Sequence, residues 1–320
     1  MAAISTVLMA HVRPGDSILH GLPVYSGADG LMNGVLARFG VNAFHFTDGL
    51  DAAALAAAME AAAAAGPLRL IWLESPANPT GAMIDLALAA RLAGEIGARQ
   101  GFRPLIVVDN TFLGPLLQSP LDHGADLVMT SLTKYCGGHS DLLAGGVSGR
   151  LDLVAPLRAL RTSLGNHMDP HTAWLLLRSL ETLHLRTERS CANALSVARF
   201  LAGHEKVAKV NFVGLAPADS PRARLMARQC RGAGSTFSFD IRGGEAEAFR
   251  LLDRLKLLRL AVSLGGSETL ICHSATTTHY AVDAARRLEG GITDATLRLS
   301  IGLEHEQDLI DDLAQALEAV

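Results

Sequence analysis

Aromatic side chains are scarce in this chain of 320 residues, at 5%, and no basic run interrupts it. A nucleic-acid surface is therefore not expected. No apolar stretch reaches the roughly 18–20 residues that a membrane span needs. The first residues, MAAISTVLMAHVRPGD, are apolar but carry no basic segment ahead of them, so they do not read as a signal peptide. Cysteine is sparse. Cys136, Cys191, Cys230 and Cys272 lie far apart without CxxC spacing, which gives no metal site and fits reduced thiols in the cytoplasm.

What is present points to a packed α/β globule. Apolar residues make up 49% and charged residues 19%, and 28 basic against 32 acidic side chains leave a formal charge of −4. Residues 1–12 are expected to be helical, followed by a turn at Pro14-Gly15-Asp16 and short strands at Ser17 to Leu19 and 41–46. Asp48 or Asp51 can cap an alanine-rich helix over 52–65, which stops at Gly66-Pro67. LRLIWLES (68–75), LIVVDN (105–110) and ADLVMTS (125–131) are apolar runs of the kind found in strands covered on both faces. NPTG (78–81) is a turn, and 85–100 an amphipathic helix. This order predicts a mostly parallel, doubly wound sheet. From His171 to about Gly203 helix dominates. Strand pieces at 209–214, 235–241 and 260–266 then alternate with helices at 245–257 and 305–319. The change in texture predicts a first domain over 1–185 and a smaller α+β domain over 186–320.

In open α/β sheets, functional residues collect at the carboxyl ends of strands. Three polar signals fall at such ends: Glu74 to Pro79, Asp109-Asn110, and Ser131 to Lys134. Each alone has a structural explanation, as a cap, a turn or a solvated lysine. Their convergence on one sheet edge suggests an amine beside an anion pocket, as an aldehyde cofactor with a phosphate requires. Pyridoxal 5′-phosphate (PLP) fits: its aldehyde forms a Schiff base with lysine, its ring nitrogen wants a carboxylate, and its phosphate wants hydroxyl and amide donors. In an extended segment Ser131 and Thr133 would point the same way and grip one phosphate.

SLTKYCGGHSDLLAGG (131–146) closely resembles the lysine signature of the PLP-dependent enzymes of cysteine and methionine metabolism, the trans-sulfuration family. ESPANPTG, VVDNTF, GADLV, AVSLGGSETL and GITDATLRLSIGLE resemble further family segments, in the family's order, so the likeness covers essentially the whole chain. The resemblance implies a fold-type I PLP-dependent enzyme. Lys134 would hold the cofactor and later move protons, Asp109 would pair with the pyridine nitrogen, and Ser131 and Thr133 would hold the phosphate. Asn78 would bond the phenolic oxygen with Glu74 close behind it, and Tyr25 would stack on the ring and act as acid or base near the leaving group. Arg298 would grip the substrate carboxylate, Asn78 would also contact the substrate, and Ser263 would line the substrate pocket. His139 and Asp141 would shape the loop after Lys134, while His273 and His279 read better as satisfied histidines than as metal ligands.

The implied reaction is γ-elimination on methionine or cystathionine, giving an α-keto acid, ammonia and a thiol. γ-Replacement by a cystathionine γ-synthase or a homoserine sulfhydrylase is the alternative, and an inactive PLP-binding relative or assembly partner is a third reading. Met168 to His171 and LLLRSLETLHLR look closest to the γ-lyase and sulfhydrylase branches, whereas Ala28 stands where many methionine γ-lyases carry a reactive cysteine. The family also implies a homodimer or homotetramer with shared sites. Relative to it the chain starts late, with Met1 resembling the methionine of a phosphate-binding Ser-Gly-Met turn. A preceding segment with a Tyr-x-Arg element would be missing, through a start assigned too late or a real shortening.

Overall fold

The computed structural model describes residues 1–320. Its first sheet contains β1 (Ser17–Gly21), β2 (Asn42–Phe46), β3 (Leu68–Glu74), β4 (Leu105–Asp109), β5 (Leu127–Ser131) and β6 (Gly145–Gly149), in the order β2-β1-β3-β4-β5-β6. All neighbours are parallel except β6, which runs antiparallel to β5 at the edge. The fold is thus α/β and mostly parallel, as expected.

The apolar runs are continuous because both faces of the sheet are covered. Leu68, Ile71 and Leu73 of β3, with Ile106 and Val108 of β4, pack under helices Ala52–Ala65 and Leu86–Gln100. Leu70, Trp72, Val107, Leu127 and Met129 face the other way, toward Ala2–His11 and Leu151–Leu164. Asp51, rather than Asp48, caps the alanine-rich helix by accepting the amides of Ala53 and Ala54, and Asp48 instead accepts those of Leu50 and Asp51. Strand parity then fixes the site. Glu74 follows Trp72, Asp109 follows Val107, and Ser131 follows Met129, so all three point toward the face that carries Ala2–His11.

The strand β6, GGVSG, escapes detection from sequence because glycine is a poor strand former. Its composition has a packing reason. A Cβ on Gly145 would come within 2.8 Å of the Ala3 methyl, so its absence lets the start of helix Ala2–His11 settle beside the end of β5.

The second sheet orders β7 (Val207–Asn211), β8 (Thr236–Ile241), β9 (Arg259–Leu260), β10 (Leu270–His273) and β11 (Thr296–Ser300) as β7-β8-β11-β10-β9. Phe237, Phe239, Ile271, Leu297 and Leu299 form its core with helices Leu183–Ala202, Glu245–Arg254 and Glu306–Leu317. Arg298 lies between two core leucines and therefore points to the opposite face. The stretch 260–266 is not the strand its alternation suggests. Only Leu260 pairs, and the carbonyls of Val262 and Ser263 accept Nη2 of Arg298 at 2.5 and 3.0 Å instead of strand amides. No helix is long and apolar enough to cross a membrane.

Candidate active site

A cavity of about 1030 Å³ opens at the carboxyl ends of β3, β4 and β5. Every site residue anticipated from sequence lines it: Met1, Tyr25, Glu74, Asn78, Asp109, Ser131, Thr133, Lys134, Ser263 and Arg298. The first sheet and the loop after β5 supply the carboxylates, hydroxyls and amine. The second sheet supplies Arg298, only 3% exposed, and the loop bearing Ser263.

The two carboxylates are register neighbours, Glu74 on β3 opposite Asp109 on β4. Glu74 Oε1 accepts the Tyr25 amide at 2.7 Å. Burial pushes the Glu74 carboxyl up to about 8, and the adjacent Asp109 adds to the shift. Burial likewise raises Asp109, to about 6, against the stabilising donors of Thr111. Those donors both reach Oδ1, the Thr111 amide at 3.0 Å and its hydroxyl at 2.6 Å, and Oδ2 takes no hydrogen bond. Lys134 Nζ donates to Ser263 Oγ at 3.0 Å. Burial lowers its proton affinity, and the Arg298 guanidinium lowers it further. Arg298 is fixed by Asn78 Oδ1 at 3.2 Å besides the two loop carbonyls. Tyr25 is 41% exposed, so it is a cavity wall rather than a core tyrosine.

Residues 1–318 match the family of Cys/Met metabolism PLP-dependent enzymes. The chain belongs to that family. L-methionine γ-lyase of Pseudomonas putida is 40% identical over 321 residues, which is all of this chain and 77% of that protein. Cystathionine γ-lyase of Mus musculus is 39% identical, covering 98% of this chain and 76% of its own. The crystal structure of cystathionine γ-synthase from Xanthomonas oryzae pv. oryzae in complex with cystathionine superposes with a TM-score of 0.92 at 40% identity. That match covers all of this chain and 79% of the other. The chain is therefore a PLP-dependent enzyme of the trans-sulfuration type, acting by γ-elimination or γ-replacement.

The residues of this family member fit the cofactor. An acceptor oxygen of buried Asp109 is left for a ring N–H. Helix Ala2–His11 enters the cavity with no side-chain cap and no acidic residue in its first turn, as an anion-binding N-terminus would. A lysine of lowered proton affinity stands ready to attack an aldehyde.

Some expectations change in detail. The strand ends at Ser131, and Thr133 sits in the following turn, where its hydroxyl donates to the Ala144 carbonyl at 3.2 Å. Ser131 thus reaches the cavity from the last strand position and Thr133 from the turn, so the two do not share one extended segment. His139 Nδ1 meets the Gly137 carbonyl at 2.7 Å, within the loop after Lys134. His273 has both ring nitrogens engaged, by Thr276 Oγ1 and the Asp294 carbonyl, each at 2.9 Å. His279 Nδ1 meets Thr278 Oγ1 at 2.9 Å, and burial pushes that ring down to about 4. Ala28 is fully buried among the residues under the first sheet.

Thr111 escaped sequence reasoning. Its hydroxyl donates to Asp109 and accepts the Ser131 amide at 2.9 Å, coupling the carboxylate to the strand that carries Ser131. The available signal was its place two residues after an aspartate, where a hydroxyl reaches back to a strand-end carboxylate.

Proposed function

We propose that this cavity takes methionine or cystathionine and breaks the Cγ–S bond by γ-elimination, releasing an α-keto acid, ammonia and a thiol. The observation that carries the reading is the placement of the Lys134 amine. It is half-buried, held only by the neutral Ser263 hydroxyl, and shares one cavity with Arg298 and Tyr25. One movable base within reach of adjacent carbons is what a two-stage elimination needs.

PLP bound here supplies the electron sink for carbanion chemistry at the substrate α-carbon. Asp109 Oδ2 would accept the ring N–H, with Thr111 keeping that carboxylate oriented. Ser131 and the amides at the start of Ala2–His11, with Met1 at its cap, would donate to the phosphate, and Thr133 would join them by turning its one hydroxyl proton from the Ala144 carbonyl. Asn78 Nδ2 would donate to the phenolic oxygen, since its Oδ1 already accepts from Arg298. Glu74 holds the Tyr25 backbone at the cavity wall, from which its ring would pack on the bound cofactor and its hydroxyl would give a proton to the departing sulfur. Arg298 presents its fork to the substrate carboxylate. Ser263 lines the substrate pocket and would hold Nζ of Lys134 while that amine takes the Cα proton, gives it up to the bound cofactor and, neutral again, takes a Cβ proton.

γ-Replacement is the second reading. The cavity's outer wall contains Tyr280, 74% exposed, and Val262, so an incoming thiol has an open approach. Purified protein loaded with PLP would be offered methionine, cystathionine, and O-acetyl- or O-succinylhomoserine with a thiol. Keto acid and ammonia without added thiol support elimination. Thioether formed only with thiol supports replacement, and no turnover of any substrate overturns both.

The chain is also proposed to divide near residue 185, into a PLP-binding domain over 1–185 and an α+β domain over 186–320. The support is that each sheet has its own core, one drawn from residues up to Leu157 and the other from Ala194 onward. Assembly as a homodimer or homotetramer is a further proposal, and the exposed side chains of Leu143, Leu151, Leu177 and Leu185 are apolar groups that a second subunit would cover. Light scattering of the purified protein tests it. Four free cysteines support a reducing, cytoplasmic setting.

A further inference from the structure

Arg186 is 9% exposed, and no carboxylate lies within ion-pair distance of it. Burying a guanidinium without a counter-charge is costly unless its donors are fully used. Here they are used on carbonyls and a hydroxyl. Nη1 donates to the Tyr135 carbonyl at 2.7 Å, and Nη2 to the carbonyls of Ser179 and Cys136 at 2.8 and 3.4 Å. Nε donates to Thr182 Oγ1 at 3.1 Å. Tyr135 and Cys136 are the two residues that follow Lys134.

The turn is shaped around this side chain. Gly138 has φ +70, and a Cβ there would lie 1.9 Å from Arg186 Nη1. Within the turn, the Gly137 and Gly138 amides donate to the carbonyls of Leu132 and Lys134, at 2.8 and 2.7 Å. Those of Tyr135 and Cys136 face away from that ladder, toward the guanidinium. The other side of the turn is held by the second sheet, where the Tyr135 hydroxyl meets Thr236 Oγ1 at 2.6 Å and Ser235 Oγ at 3.2 Å. Ser179 and Thr182 flank the break between helices Pro170–Leu180 and Leu183–Ala202. One guanidinium thus ties that break to the turn carrying the amine.

We propose that Arg186 is a positioning residue for Lys134. Its planar fork spans consecutive carbonyls of the turn and keeps Nζ directed at Ser263. Lysine cannot replace it, because an ammonium group lacks the fork that serves separate carbonyls at once. The inference rests on Lys134 being the residue that binds PLP, and it concerns geometry at Lys134 rather than affinity for substrate, which Arg298 and Asn78 provide.

The test compares native protein with Arg186→Lys and Gly138→Ala, the second variant driving the guanidinium off the turn by a different route. Borohydride reduction of native, PLP-loaded protein first checks that Lys134 is labelled; no label there overturns the underlying reading. With the label in place, two readouts follow. One is the pH midpoint of the cofactor's absorbance in the absence of substrate. The other is hydrogen exchange over residues 131–139 in cofactor-free protein. Both variants are expected to shift the midpoint by at least half a pH unit and to exchange at least tenfold faster in that segment. They should lower kcat at least tenfold, with KM within about twofold of native. Guanidinium ion added at millimolar concentration to Arg186→Ala is expected to restore part of the midpoint shift. A fall in Tm with midpoint, exchange and kcat unchanged in the folded variants overturns the positioning role.

Discussion

Replacing Thr111 by valine removes one hydroxyl and keeps the side-chain shape. That hydroxyl donates to Asp109 Oδ1 at 2.6 Å and accepts the Ser131 amide at 2.9 Å. The lost bond to a charged group is worth about 1.5–3 kcal/mol, and the Ser131 amide is left without its acceptor. A carboxylate that loses a donor becomes a weaker acid. Asp109 is already raised to about 6 by burial, so a further rise leaves more of it protonated near neutral pH. A protonated Asp109 cannot pair ionically with a cationic ring. Those energies raise the carboxyl by about one to two pH units, so PLP affinity at pH 7 should fall several-fold, up to about fifteenfold, with the share of ionised Asp109. Part of it should return by about pH 8.5, as the carboxylate ionises again. Thr111→Ser keeps the hydroxyl and should stay near native. Titration of cofactor-free protein with PLP, followed by absorbance or fluorescence at both pH values, measures this. Affinity for Thr111→Val within about twofold of native at pH 7 would refute the role given to the Thr111–Asp109 bond.

Asp109→Asn should still bind some PLP but lose turnover by about a hundredfold or more, since the charge that keeps the ring cationic is gone; steady-state kinetics reads it. Arg298→Lys gives up the bidentate grip on the substrate carboxylate and should lower kcat/KM about ten- to a hundredfold, mostly through KM. Glu74 is raised from an ordinary 4.5 to about 8, so the stability it contributes is full below about 4.5 and lost as pH rises toward 8. His20 and His279, pushed down from 6.5 to about 4, act oppositely and cost stability as pH falls through that window. Between pH 6.5 and 8 the Glu74 effect therefore dominates. Cofactor-free protein should lose up to about 1 kcal/mol per pH unit there in denaturant titrations, and Glu74→Gln should flatten the slope. Phe237→Ala, in the centre of the second core, should cost about 3–5 kcal/mol by the same measurement.

The first sheet was legible because its strands are covered on both faces. LRLIWLES and LIVVDN are apolar until the residue that leaves the core, and that residue is where the chemistry sits. Glu74, Asp109 and Ser131 were readable as three strand ends, and parity along β3, β4 and β5 brings them to one face. The edge was less legible. Gly145 of β6 is required by a helix start that presses against it, from residues more than a hundred positions away, while Gly146 and Gly149 sit close to Leu132 and Leu127. The stretch 260–266 alternates like a strand, yet its carbonyls serve Arg298. Arg298 itself looks like a surface residue until the leucines on either side of it are seen to fill a core. Thr111 carries a local signal in its place two residues after Asp109, but its bond to the Ser131 amide, like those of Arg186 to the Tyr135 and Cys136 carbonyls, joins distant segments and leaves no trace in local spacing.

The placement of the cofactor on Lys134 is tested most directly by chemical mapping. PLP-loaded protein would be reduced with borohydride, digested, and searched for the pyridoxyl group by mass spectrometry. The remaining lysines, Lys206, Lys209 and Lys256, lie outside the cavity wall, so the label distinguishes sites cleanly. The expected result is a pyridoxyl group on the peptide carrying Lys134, lost in Lys134→Ala. A label on one of the other lysines with Lys134 unmodified would contradict it.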